Sequence, residues 1–126
     1  MSALNTPATF QSVLVLEDNF LIALEAEYIL TSLGVETVHI ASTIDEAMVI
    51  VDQHGLDFAL LDVQLGNDNS FAFAALLKER GIPFGFCSGY GDGVSAPAAL
   101  GNVPKISKPF DQQSFANALE SIRDGA

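Results

Sequence analysis

Three carboxylates, a hydroxyl and a lysine stand out in this sequence as groups able to handle phosphate. Glu17 and Asp18 follow the apolar run VLVL, Asp62 follows FALL, Ser88 follows FGFC, and Lys108 precedes Pro109. Carboxylates gathered in one place repel one another, and at neutral pH protonation or a cation must offset the repulsion. Mg²⁺, small, hard and reluctant to lose its waters, suits such oxygen donors. A carboxylate beside that ion, an ammonium and a hydroxyl donor is arranged to attack phosphorus. The positive charges stabilise the transferring oxygens, and the hydroxyl donates a hydrogen bond. Taken singly, each residue has an ordinary explanation. Asp18 could cap a helix starting near Asn19, Asp62 and Ser88 could be turn residues, and Lys108 could be a solvated charge. Those explanations do not predict that the groups meet.

Whether they meet depends on the elements that carry them. Short apolar runs occur at Val13–Leu16, Val35–Ile40, Phe58–Leu61, Ile82–Phe86 and Val103–Ile106, and such runs suit strands buried on both faces. Helical spacing lies between them. Ile22, Ala26, Ile29 and Leu33 share a face before Gly34. Ser42 and Asp45 resemble a capping box ahead of Ala47, Ile50 and Val51, with Gly55 as the stop. A third helix is expected from about Ser70 to Arg80, ending at Gly81. A last one is expected from about Asp111 to Ile122, with Phe115, Leu119 and Ile122 as its apolar stripe. The fourth connection, Gly91–Asn102, is rich in Gly and contains Pro97, which predicts a short or irregular helix. Strand and helix alternating in this way imply an α/β doubly wound parallel sheet of five strands. The flavodoxin-like order 2-1-3-4-5 fits it, and ligands in such sheets bind at the carboxyl ends of the strands beside the switch point. Glu17, Asp18, Asp62, Ser88 and Lys108 are all expected at that rim.

Composition narrows the function classes. The chain has 126 residues, with five Lys plus Arg against sixteen Asp plus Glu, a formal net charge of −11. That size fits one domain: an N-terminal extension over residues 1–11 and a folded unit over 12–126. Such an acidic surface disfavours nucleic acid and anionic membranes as partners. The one cysteine, Cys87, leaves no intrachain disulfide and is read as a small core hydrophobe rather than a redox group. No signal-like start and no apolar run near 20 residues is present, so a cytoplasmic location is expected. His39 and His54 sit at no metal-ligand spacing and are expected at the surface or a strand edge.

The set Glu17-Asp18, Asp62 in LLDVQLG, Ser88 in FCSGYG and Lys108-Pro109-Phe110, in this order, resembles the response-regulator receiver domain. The resemblance runs from about Ser12 to Arg123. It implies a phosphoprotein of two-component phosphorelay signalling in which Asp62 is the phosphoacceptor. Glu17, Asp18, Asp62 and the Gln64 backbone carbonyl would hold Mg²⁺, and Ser88 and Lys108 would contact the phosphoryl oxygens. It also implies a cis bond before Pro109, a histidine kinase or histidine phosphotransfer protein as donor, and a protein target for the phosphorylated form. The stretch PFGFCSGYG, Pro83 to Gly91, is similar to the PFxFATGY pattern of the FATGUY subgroup, with Cys87 and Ser88 in place of Ala and Thr.

Two positions depart from the broad family. Gly66 stands where many receivers carry Pro, and Lys105 occupies the place of the usual switch aromatic. Tyr90, beside Gly89 in the loop after Ser88, is the candidate replacement, with Gly91–Asn102 and the last helix as the output face. The chain is therefore expected to be a stand-alone regulator acting through protein contacts. It would be no enzyme beyond its own phosphorylation and dephosphorylation. Alternatives are a phosphorylation-independent docking module and the receiver part of a hybrid kinase. An aspartate-nucleophile phosphatase of the haloacid-dehalogenase type fits less well, because its acid/base carboxylate would fall on Gln64.

Overall fold

The structure, a computed structural model, describes residues 11–65, 68–88, 105–107 and 111–125, of which 64, 65, 68, 69, 88, 105, 107 and 121–125 are described as backbone alone. The elements run β1 (Ser12–Leu16), α1 (Phe20–Ser32), β2 (Thr37–Ala41), α2 (Ile44–Gln53), β3 (Phe58–Asp62), β4 (Gln64–Leu65), β5 (Asp68–Asn69), α3 (Phe71–Glu79), β6 (Phe84–Ser88), β7 (Lys105–Ser107) and α4 (Gln112–Gly125). Among the strands of the main sheet, β2, β1, β3 and β6 lie side by side, and the short β7 pairs with β6. All of these pairings are parallel. The first four strands thus keep the expected 2-1-3-4 order. The irregular fourth helix expected over Gly91–Asn102 lies outside the described residues.

Alternation along the strands divides the core into two layers. Val13, Val15, Phe58, Leu60, Cys87 and Ile106 face α1 and α4, packing against Ala26, Leu30, Phe115 and Leu119. Leu14, Leu16, Ala59, Leu61, Phe84 and Phe86 face α2 and α3, packing against Ala47, Val51, Phe73 and Leu77. With helices on both faces, β3 is buried at every one of its five residues. Each buried side chain of Leu or Phe size contributes roughly 1.5–3 kcal/mol by leaving water.

Two strands start later than expected, for one shared reason. After α1, Gly34 at φ 103° turns the chain, its N–H bonds Thr31 O, and the Val35 N–H bonds Leu30 O at 3.1 Å. After α3, Gly81 at φ 74° does the same, with the Ile82 N–H donating to Leu77 O at 2.9 Å. Both ends are Schellman caps, in which the residue after glycine packs back on its own helix. Val35 and Ile82 therefore belong to helix ends, not to β2 and β6.

Helix starts also differ from the expectation. Thr43, not Ser42, is the N-cap of α2, accepting the Glu46 N–H at 3.1 Å, while Glu46 reaches back to the Ser42 N–H and hydroxyl. These hydrogen bonds hold the Glu46 carboxyl below its ordinary pKa. At α4, Asp111 accepts the Ser114 N–H at 2.7 Å, which lowers its pKa in the same way.

Candidate functional site

The carboxyl rim of the sheet gathers its acids through strand register. Beyond β1 the ladder runs one residue further, the Glu17 N–H donating to Ala41 O at 2.9 Å. Glu17 thereby stays in phase with Val13 and Val15 and faces the α1 side. Asp62, the last residue of β3, is in phase with Phe58 and Leu60 and faces the same way. On the neighbouring strand, Cys87 lies opposite Asp62. Ligand atoms of Glu17, Asp62 and Cys87 all lie within 4.8 Å of one another. All three residues are buried, at 2%, 5% and 1% exposure.

Local hydrogen bonds explain how the strand ends are held. Glu17 Oε2 accepts the Asn19 N–H at 3.1 Å, which ties the acid to the first turn beyond the strand. Asn19 in turn caps α1, its side chain accepting the N–H groups of Leu21 and Ile22. Asp18 is therefore not the cap; it is exposed at the rim next to Glu17. After Asp62, the Val63 N–H bonds Cys87 O at 3.1 Å and Val63 O accepts the Ser70 N–H at 3.2 Å. Between those bonds β4 and β5 form an antiparallel ribbon with Gln64 opposite Asn69. A two-residue pairing carries no periodic pattern, so this ribbon is not visible in the sequence.

Of the other expected site residues, Ser88 closes β6 opposite Ser107, and Lys105 opens β7 opposite Phe86. For these two and for Gln64 the backbone alone is described. Gly66, Gly89, Tyr90, Lys108 and Pro109 lie outside the described residues. The structure thus brings together Glu17 and Asp62, with Asp18 adjacent in sequence, and adds Cys87 to them.

A second feature escapes the sequence reading. On α1, Phe20, Leu21, Leu24 and Tyr28 are exposed at 65%, 77%, 38% and 75% while Ala23, Ala26, Ile29 and Leu30 are buried. The inward face expected over Ile22, Ala26, Ile29 and Leu33 packs on the core. The outward face, though it carries Glu25, is also largely apolar, so the contrast between faces is weak. The helix starts two residues from Asp18, which puts the outward stripe beside the acidic rim. No helix among the described residues is long and apolar enough to cross a membrane.

Two carboxylates this close and this buried fit a cation, whose charge would offset their repulsion. They sit between β1 and β3, where the strand order reverses, the usual ligand position of such sheets.

Residues 13–120 match the family model for the response regulator receiver domain. The fold is similar to the solution structure of SdrG from Sphingomonas melonis Fr1, with 34% identity, a TM-score of 0.80, and 90% of this chain and 97% of that one covered. It is also similar to a CheY-like receiver domain from Methylobacillus flagellatus, at 23% identity and a TM-score of 0.77 over 90% and 98% of the two chains. Among curated proteins, the sensory transduction protein LytT of Bacillus cereus is 29% identical over 114 residues. That match covers 88% of this chain and 46% of LytT, so the chain spans about half the length of that relative. On the matched family, the acidic rim and the parallel sheet that builds it, the chain belongs to the response regulator receiver domain family of two-component signalling.

Proposed function

We propose that this receiver accepts a phosphoryl group on Asp62 from a histidine kinase or a histidine phosphotransfer protein, and changes its protein contacts in response. The observation that carries this reading is the pair Glu17 and Asp62, buried at the switch point with ligand atoms within 4.8 Å. Glu17, Asp62, the neighbouring Asp18 and the Gln64 carbonyl would hold Mg²⁺. When bound, that ion supplies positive charge to the transferring phosphoryl oxygens.

The chain's own groups then have defined tasks. An Asp62 carboxylate oxygen forms the new bond to phosphorus as the donor's phosphorus–nitrogen bond breaks, and the donor imidazole takes up a proton. Ser88 and Lys108, by their match to the family motif, meet the phosphoryl oxygens with a hydroxyl and an ammonium. The added charge biases the surrounding loops between two arrangements, with Tyr90 proposed to take over from the aromatic absent at Lys105. NMR of Tyr90 with and without a phosphoryl mimic tests this, and identical environments would refute it.

The apolar stripe of α1, next to Asp18, supports a protein donor, since large exposed apolar faces mark contact surfaces. We place the protein in the cytoplasm, as a single-domain regulator of the PFxFATGY type that is not a general enzyme.

Intact mass after incubation with Mg²⁺ and a phosphoramidate or acyl phosphate tests the central claim. One added phosphoryl group on the wild type and none on Asp62→Asn is the expected result. No gain on either, with Mg²⁺ shown to bind, would favour a phosphorylation-independent docking module.

A further inference from the structure

Cys87 is more than core filling. Its sulfur lies with carboxylate oxygens of Glu17 and Asp62 inside one 4.8 Å cluster, delivered by three adjacent strands. The three donors come from β3, β6 and the extension of β1, so their spacing is set by the sheet ladder and not by flexible loops. Hard Mg²⁺ has little use for sulfur, whereas borderline ions such as Zn²⁺ and Co²⁺ bind thiolate and carboxylate together.

We propose that Glu17, Asp62 and Cys87 form a mixed sulfur–oxygen site for a thiophilic divalent cation of the Zn²⁺ or Co²⁺ class, and that its occupation competes with phosphoryl acceptance at Asp62. Bond lengths of about 2.3 Å to sulfur and about 2.0–2.2 Å to oxygen require the donors to draw somewhat closer. As the sulfur–metal bond forms, the Cys87 thiol gives its proton to solvent, so binding releases a proton. Such an ion takes the Glu17 and Asp62 oxygens that would hold Mg²⁺, so it displaces the ion that supports phosphoryl acceptance. The competition rests on the phosphoacceptor reading above; the metal–sulfur bond does not.

The test is titration of the full chain with Co²⁺, reading the sulfur-to-cobalt charge-transfer absorption in the near-ultraviolet. The band is expected in the wild type, with displacement by Zn²⁺ and little displacement by Mg²⁺. It is expected to disappear in Cys87→Ala, with Zn²⁺ affinity lowered by about tenfold or more, and to weaken in Glu17→Gln. Circular dichroism confirms that each variant is folded. Co²⁺ binding to the wild type without the band, or a band that persists in Cys87→Ala, would overturn the site. Phosphorylation with Mg²⁺ alone is measured beside it on the wild type. Its failure would sink the phosphoacceptor reading while leaving the absorption result intact.

Discussion

His39 and His54 stack on each other, with ring centroids 4.3 Å apart and ring planes tilted by 31°. One lies on β2, at the edge of the sheet, and the other ends α2. Sequence spacing gives no hint of the contact, because it is made by the fold and not by a helix or strand period. Burial holds the His39 pKa below its ordinary value of 6.5, and the charge of His54 pushes it the same way. The folded pKa is thus lowered, and below about pH 6.5 the unfolded chain binds more protons than the folded one. The corresponding stability is full above that pH and is lost as pH falls through the folded value. Urea midpoints are expected to drop between about pH 7 and pH 5 more steeply in the wild type than in His54→Gln. Parallel curves would show that the pair does not couple protonation to folding.

Metal binding at the acidic rim should register as stability. A cation bound only by the folded state adds about 2.7 kcal/mol at a hundred times its Kd. Thermal unfolding of the wild type is therefore expected to shift upward with Mg²⁺ and return on chelation. In Glu17→Gln the shift should be small, because one of the two buried carboxylates is neutral. An undiminished shift in that variant would place the ion elsewhere.

The cap of α2 can be located by mutation. Thr43→Ala removes the acceptor for the Glu46 N–H and is expected to cost about 1 kcal/mol in urea unfolding. Ser42→Ala leaves that bond in place and should cost less. The opposite ranking would return the cap to Ser42.

The α1 stripe predicts a split between donors. Leu21→Ser combined with Tyr28→Ser is expected to slow transfer from the cognate phosphotransfer protein by about tenfold more than it slows uptake from a small donor. Equal effects on both would mean that the stripe serves folding alone.

What could be seen in the sequence follows from what each element needs. The all-apolar FALL before Asp62 and VLVL before Glu17 admit few structures besides buried parallel strands, so the acids at their ends were placed by pattern. Val35 and Ile82 look like strand residues because they are apolar and β-branched. Their place is decided instead by Gly34 and Gly81, which turn them back on the helices before them. The site was legible as a list of acids but not as a cluster with sulfur in it. Cys87 joins only through its register with Asp62, and register is a property of two strands together. The inward face of α1 was legible by its spacing, but the outward stripe was hidden because that face is itself largely apolar, which weakens the contrast on which periodicity depends.

Every residue of β3 is buried, and the strand is paired on both sides. Amide protons in such a strand exchange only through near-global opening, whereas edge strands and helix ends exchange through local fraying. Asp62 thus ends one of the described strands expected to open last. As the proposed acceptor it would be a fixed pivot, and any rearrangement following phosphorylation would be motion of the surroundings about it. The slowest-exchanging amides should therefore be those of β3, with and without the phosphoryl group.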